Sequence, residues 1–417
     1  MGEWPLSSEG SPSASRETQV YDSEFRLDPL TERWVLVAEG RNERPSDLEN
    51  NGSNCASVAP RDGTACFKCA FCPGNENLTT PTVAAVLLPE SHSQGDFPDD
   101  FIVTTCDDCN DVQGAYWRVR AFENKYPAFR VSEHVVDATD FCQLRRRFRS
   151  GVLPVSERFF QKFGANGRHE VVVDSRRHIR GWGEATELEV CLVFRLFQSR
   201  LREFRASGRF AHAFFFKNVG VGAGASQPHS HCQVVASTLI PDDVRFQLER
   251  VAHYEENRRN VGELESYWEA LLRAEIEDGR RVVAASDSFV LYCPYASRFP
   301  GQLEICPRFD KAFEDYDDGI LDALALTARN AILGLQKVYE KISSSESALL
   351  DYNVVMTNAP YCVDPKLEDA VCVFRPRLTI IPSLVKKAGY EYGSGIDINP
   401  VSPETAASWL REYWVNS

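Results

Sequence analysis

Gly220-Val221-Gly222-Ala223-Gly224-Ala225-Ser226-Gln227-Pro228-His229-Ser230-His231-Cys232-Gln233 joins a loop of small residues to two histidines and a glutamine spaced by two. That spacing is the period of a strand. Residues i, i+2 and i+4 of a β-strand share one face, so His229, His231 and Gln233 are expected to point the same way while Cys232, Val234 and Val235 help build the sheet. The glycines let the backbone approach a ligand closely, and the loop is expected to offer N–H groups to an anion. An imidazole that attacks phosphorus would be mounted in this way. His-x-His alone fits equally well two histidines that happen to fall on a half-buried strand, so the decision rests on the rest of the chain.

A second motif lies far upstream. Cys69-Ala70-Phe71-Cys72 has the spacing with which two thiolates hold tetrahedral zinc, and such a site needs two more ligands. His229 is one candidate. His178, beyond the apolar run Val171-Val172-Val173, is the other, and His169, just ahead of that run, is the runner-up. A Cys2His2 site would tie the N-terminal hairpin to the His-Ser-His strand. With all four positions filled by protein, one Zn2+ per chain would be structural. Cys106-Asp107-Asp108-Cys109, in an acidic insertion at about 90–113, could join Cys55 or Cys66 in a second site. No histidine or further CxxC lies near to complete it, which favours a solvated loop.

Around these motifs the order of elements repeats. A strand at His169 to Asp174 leads to a helix opened by Thr186-x-x-Glu189, a capping-box pattern, with Val190, Val193, Phe194, Phe197, Leu201 and Phe204 on one face. Gly208 is a stop signal, and a strand at Ala211 to Asn218 precedes the glycine loop. The second half has a strand at Gln302 to Cys306 and a helix with Leu321, Leu324, Ala328, Ile332, Leu335, Tyr339 and Ile342 on one face. Strands at Tyr352 to Asn358 and Phe374 to Ile381 follow. The pattern predicts an α+β fold made by duplication, with antiparallel strands and helices on one side. Where the first half has His229-Ser230-His231-Cys232-Gln233, the second has Phe374-Arg375-Pro376-Arg377-Leu378-Thr379. Arg375 and Arg377 are read with equal weight as phosphate forks or as solvated strand-end residues.

Bulk properties fit an enzyme of the cytoplasm. The 417 residues, 43% hydrophobic and 25% charged, suffice for two core-bearing units, and no apolar run approaches the length of a membrane span. A net charge of −14 opposes nonspecific binding to nucleic acid or anionic membrane. Thirteen cysteines are diluted in a large chain and odd in number, which fits a reducing compartment. Residues 1–24 are polar, lack an apolar segment and carry Glu3, Glu9 and Glu17, so they read as a disordered tail. Met1-Gly2 has Leu6 where an acylation signal wants Ser or Thr.

Asp28-Pro29-Leu30-Thr31-Glu32-Arg33-Trp34, Arg41-Asn42-Glu43-Arg44-Pro45, Cys69-Ala70-Phe71-Cys72-Pro73-Gly74-Asn75-Glu76, Phe122-Glu123-Asn124-Lys125-Tyr126-Pro127 and Ser226-Gln227-Pro228-His229-Ser230-His231-Cys232-Gln233 occur in this order. In that order and context the chain, from about residue 25 to its end, resembles the galactose-1-phosphate uridylyltransferases of the histidine-triad superfamily. Gly389-Tyr390-Glu391-Tyr392-Gly393-Ser394 looks like the version that includes plant ADP-glucose phosphorylase. The resemblance implies two tandem histidine-triad-like units, each an antiparallel sheet with helices packed on it. Their expected bounds are 25–238 for the catalytic zinc-bearing unit, 239–284 for a helical connector and 285–417 for a degenerate second unit.

The implied chemistry splits a nucleotide sugar between its phosphates. His231 is the expected nucleophile at the α-phosphorus, giving a covalent nucleotidyl-histidine and ping-pong kinetics. Gln233, Ser226 and Asn218 would donate to phosphate oxygens, with Gly224 in the approaching loop. Gln233 stands where related hydrolases have a histidine, which favours transfer. By resemblance, Arg41 and Arg44 would pair with a phosphate, Asn124 and Tyr126 would hold ribose and base, and Glu391 would bind sugar hydroxyls in the site of a second copy of a homodimer. Lys125 departs from the acid or Leu common there. The reading favours UDP-glucose–hexose-1-phosphate uridylyltransferase, with a nucleotide sugar and hexose 1-phosphate or phosphate as partners. ADP-glucose phosphorylase is the alternative and a non-catalytic zinc scaffold the remote one.

Overall fold

The computed structural model describes residues 24–27, 34–37, 69–87, 102–105, 117–131, 159–160, 162–345, 347–361 and 367–414. Arg41, Arg44, Cys55, Cys66, Cys106, Cys109 and the expected tail, apart from Glu24, lie outside them.

The strands that carry the site are buried on both faces almost throughout, apart from the partly alternating His212–Val219. β7 (Gly167–Val173), β8 (His212–Val219) and β9 (His231–Ser237) pair antiparallel, with β9 in the middle. Val173 faces His231 and Val171 faces Gln233 across one ladder, and Phe216 faces Gln233 across the other. His231 and Gln233 therefore share one sheet face with Val171, Val173 and Phe216, while Cys232 and Val234 point into the core on the other. His229 corrects the expectation of three residues on one strand: it stands in the turn two residues ahead of β9.

The helices follow their caps and apolar faces. α1 (Glu187–Ala206) starts at a capping box, with Thr186 accepting from Glu189 N and Glu189 accepting from Thr186 N. Its six expected apolar residues are all buried, and Phe197 stacks on Phe215 of β8 with ring centroids 4.0 Å apart. Each such buried aromatic contributes roughly 1.5–3 kcal/mol. α4 (Asp318–Ser343) is capped by Asp317 and packs beside α1 on the same sheet face, where Arg195 grips Asp322 through two 2.9 Å bonds. Ile342, expected on its apolar face, falls in the last turn and is exposed. Between the halves lie α2 (Asp242–Val261) and α3 (Tyr267–Asp278).

Eleven described strands form one sheet. β3 (Thr82–Leu87), β4 (Ile102–Thr105) and β5 (Trp117–Glu123) continue it beyond β7, and β10 (Val282–Ala285), β11 (Phe289–Tyr292), β12 (Leu303–Pro307), β13 (Tyr352–Thr357) and β14 (Arg377–Pro382) make the rest. The order is β10-β11-β12-β14-β13-β8-β9-β7-β5-β3-β4. β1 (Glu24–Leu27), β2 (Trp34–Val37) and β6 (Lys162–Gly164) form a separate small sheet. The series β7-α1-β8-β9 recurs as β12-α4-β13-β14. In each copy the third strand inserts between the first two, and the copies meet antiparallel at β8 and β13. β14 begins at Arg377, three residues later than expected, because Pro376 has no N–H for the ladder.

His212, at the start of β8, is fully enclosed, and its Nε2–H donates to Asn358 O at 3.1 Å. Burial pushes its imidazole down to about 4. Between pH 6.5 and 4 the unfolded chain takes up a proton that the folded chain refuses. Stability is therefore full above pH 6.5 and falls as pH drops toward 4, by up to about 1.4 kcal/mol per pH unit for one such group. Urea midpoints across that range should fall less steeply with acid in His212→Gln, which keeps a donor without the titration. An unchanged slope would assign the acid sensitivity elsewhere. Among the described residues no helix is long and apolar enough to cross a membrane.

Candidate active site and metal centre

Sγ of Cys69, Sγ of Cys72 and a ring nitrogen from each of His178 and His229 lie within 4.8 Å of one another. Nδ1 of His229 is 3.5 Å from both sulfurs, and Nδ1 of His178 is 3.4 Å from Cys72 Sγ. Zn–S bonds of about 2.3 Å and Zn–N bonds of about 2.0–2.1 Å give a tetrahedron S···N edges of about 3.6 Å, so the spacing fits a four-coordinate ion. On its far side His229 Nε2–H donates to Ser175 O at 2.9 Å, which leaves the Nδ1 lone pair facing the sulfurs. The adjacent Cys72 thiol and burial push the Cys69 thiol well above its usual range. A divalent cation between the sulfurs would reverse that and hold both as thiolates. His178, and not the runner-up His169, completes the set.

The capping box of α1 places the loop that carries His178. Glu189, besides capping Thr186, accepts from Ser175 Oγ at 2.5 Å and pairs with Arg177. Ser230 N–H donates to Ile179 O at 2.7 Å, which ties that loop to the turn before β9.

His231, 5% exposed, lines a cavity of about 210 Å³. Its Nδ1–H donates to His229 O at 2.9 Å, so the lone pair sits on Nε2. Burial pushes its pKa down to about 4, so the ring is neutral at physiological pH. Phe71, from the CxxC hairpin, sets its ring edgewise against His231 at 5.2 Å and His229 at 6.2 Å. Gln233, Ser226, Asn124 and Tyr126 line the same cavity, together with Lys125 and Gln227.

Lys217 escaped the sequence reading. Fully buried behind β9, its ammonium reaches Asp174 at 2.5 Å, Ser230 Oγ at 2.8 Å and the carbonyl of His231 at 3.1 Å. Burial works against its charge, but Asp174 outweighs it and holds the pKa above the usual lysine value. The signal was there: a lysine after Phe214-Phe215-Phe216 in a core strand demands a buried partner.

The glycine loop differs from the expected anion cradle. Gly222 N–H donates to Asp351 Oδ2 at 2.7 Å, Ala223 and Ala225 N–H to Gly220 O, and Gly224 N–H to Val221 O. Those donors are committed to a closed turn, and Gly224, at φ 78°, is outside the cavity lining. Gly220 is needed for a close approach, since a Cβ there would sit 1.8 Å from Asp351 Oδ1. Asn218 shares the sheet face of Gln233, and its Oδ1 accepts from Asn353 Nδ2 at 2.8 Å. Glu391, on α5 (Gly389–Ser394), accepts from Ala388 N at 3.0 Å, away from the cavity lining.

Arg375 and Arg377 are neither solvated nor phosphate forks. Arg375, 2% exposed, pairs with Asp310 at 2.6 Å, and Arg377 stacks 4.1 Å from the Trp268 ring centroid and bonds Gln247. Arg377 opens β14 as His231 opens β9, and it donates to the carbonyl two residues back, Arg375 O, at 3.1 Å.

Residues 88–241 match the family profile described as galactose-1-phosphate uridyl transferase, N-terminal domain. ADP-glucose phosphorylase of Arabidopsis thaliana is 25% identical over 390 residues, 93% of this chain and 92% of the relative. Galactose-1-phosphate uridylyltransferase of Thermotoga maritima is 22% identical over 399 residues, 93% of this chain and 98% of the relative. The chain is similar to the galactose-1-phosphate uridylyltransferases along most of its length, and residues 88–241 carry the match to their N-terminal domain. The fold is shared as well. The crystal structure of the Arabidopsis ADP-glucose phosphorylase with bound ADP-glucose superposes with a TM-score of 0.59 at 24% identity, covering 94% of this chain and 99% of the other.

Proposed function

We propose that this chain is a nucleotidyltransferase acting on nucleotide sugars through a covalent nucleotidyl-His231. One observation carries the reading: a neutral imidazole, with Nδ1–H held by His229 O and its lone pair on Nε2, lines a cavity beside Gln233 and Ser226. Nε2 forms a bond to the α-phosphorus while the P–O bond to the departing hexose 1-phosphate breaks and the leaving oxygen keeps the electron pair. An acceptor phosphate then takes the nucleotidyl group back from nitrogen. Hydrogen bonds from the Gln233 amide and Ser226 Oγ to the non-bridging oxygens would lower the barrier. The Cys69, Cys72, His178, His229 site is read as structural Zn2+, which would hold the turn ahead of His231 and supply no chemistry to the transfer.

UDP-glucose and galactose 1-phosphate are the donor and acceptor of the first reading. ADP-glucose with inorganic phosphate is the second, supported by the Arabidopsis relative's 25% identity over 390 residues. A cytoplasmic homodimer in which Glu391 serves the neighbouring site belongs to the same proposal. Exposed Tyr390, Tyr392, Ile396 and Ile398 around Glu391 support a second copy covering that segment, and a monomeric mass in solution would remove it.

Purified protein offered each nucleotide sugar with each acceptor should turn donor over beyond one equivalent per site only when one acceptor is present. Gln233→Ala should slow both half-reactions on the order of a hundredfold or more. Gln233→His should raise nucleoside monophosphate release in water alone, by placing a titratable group at the leaving oxygen. If the unaltered protein hydrolyses donor as fast without acceptor as with it, the transferase reading fails.

A further inference from the structure

His169 is buried, and it is not a metal ligand. Its place is behind Gln233. Ala128 N–H donates to His169 Nδ1 at 3.0 Å, and His169 Nε2 lies 2.7 Å from Gln233 Oε1. A backbone N–H can only donate, so Nδ1 carries the lone pair and the proton of the neutral ring is on Nε2. That N–H accepts nothing, so the Gln233 atom opposite it must be the oxygen.

A second backbone donor makes the same choice. Tyr126 N–H donates to Asn124 Oδ1 at 2.9 Å, which turns the Asn124 NH2 toward the pair, 3.2 Å from His169 Nε2 and 3.5 Å from Gln233 Oε1. If Gln233 were flipped, its NH2 would face an N–H and an NH2 and leave a buried donor without an acceptor, which is costly in a buried site. We infer that His169 is a positioning residue: a relay from Ala128 through His169 Nε2–H fixes the sense of the Gln233 amide so that its NH2 is the group presented to the reacting phosphate. The inference rests on the nucleotidyl-transfer reading for the role of Gln233 and goes beyond it in saying what makes that amide a donor.

Two substitutions separate the ring nitrogens. His169→Gln places an amide near Nε2 and keeps a donor to Gln233. His169→Asn reaches only the Nδ1 position and keeps the Ala128 contact without that donor. The readout is the rapid-quench rate of protein labelling by UDP-glucose and ADP-glucose carrying 32P at the α-phosphate, with melting temperature as a check on folding. His169→Gln should label within about tenfold of the parent, and His169→Asn should approach the hundredfold loss expected for Gln233→Ala. In a Gln233→Ala background, His169→Asn should cost less than about threefold more, because the two act as one unit. Histidine-selective 15N NMR should show His169 protonated at Nε2 and bare at Nδ1 at neutral pH. Equal slowing by the two His169 variants, a further large loss in the Gln233→Ala background, or an Nδ1–H signature would overturn the relay while Gln233 stands. Labelling of Gln233→Ala at the parent rate would overturn the Gln233 assignment and the relay together.

Discussion

Replacing His231 by alanine is expected to remove the covalent nucleotidyl-enzyme and lower turnover by about 10⁴-fold or more, the scale seen when a nucleophile is deleted from a site whose other groups remain. The expectation follows from how little freedom the ring has. The His229 carbonyl holds Nδ1–H, Phe71 closes one side, and Lys217 braces the backbone carbonyl of His231 from the core. No other described histidine lines the His231 cavity. The measurement is label from nucleotide sugar carrying 32P at the α-phosphate, quenched in base and counted on protein. The parent should label and show parallel double-reciprocal lines, and His231→Ala should do neither. Label retained by His231→Ala, or sequential kinetics in the parent, would refute the assignment.

Removing the paired thiols, Cys69→Ser with Cys72→Ser, should empty the metal site and lower the melting temperature on the order of 10 °C. Metal binding would be folding free energy here, because the four candidate ligands come from segments that meet only in the folded chain: Cys72 and His178 are 106 residues apart. Activity should fall with it, since the turn from His229 to His231 loses its anchor and His229 O is what orients the His231 ring. Elemental analysis of the parent should give at least one zinc per chain, and a chelator should reproduce the loss of stability. Full zinc content and an unchanged melting temperature in the double variant would show that the ligand set is wrong.

Features written in local spacing were legible in the chain. The period of two put His231 and Gln233 on one face, and the cap at Thr186 and Glu189 and the apolar face of α1 stand where the spacing put them. Cys69 and Cys72 come within reach of His229 as CxxC spacing suggested. Features that depend on which distant group sits opposite were not legible. The glycine loop has the composition of a phosphate cradle, yet Asp351, from the second half of the chain, takes its Gly222 N–H. Arg375 and Arg377 read as surface or ligand charges until α3 brings Trp268 over one and Asp310 meets the other. His178 and His169 both lie close to the Val171-Val172-Val173 run, and the sequence could only rank His178 ahead of His169 as the metal ligand. Sequence alone determined which residue types were available and their local period. The tertiary structure decided which histidine meets sulfur and which meets an amide, because the direction of a hydrogen bond is set by the fixed backbone donors facing it, here Ala128 and Tyr126.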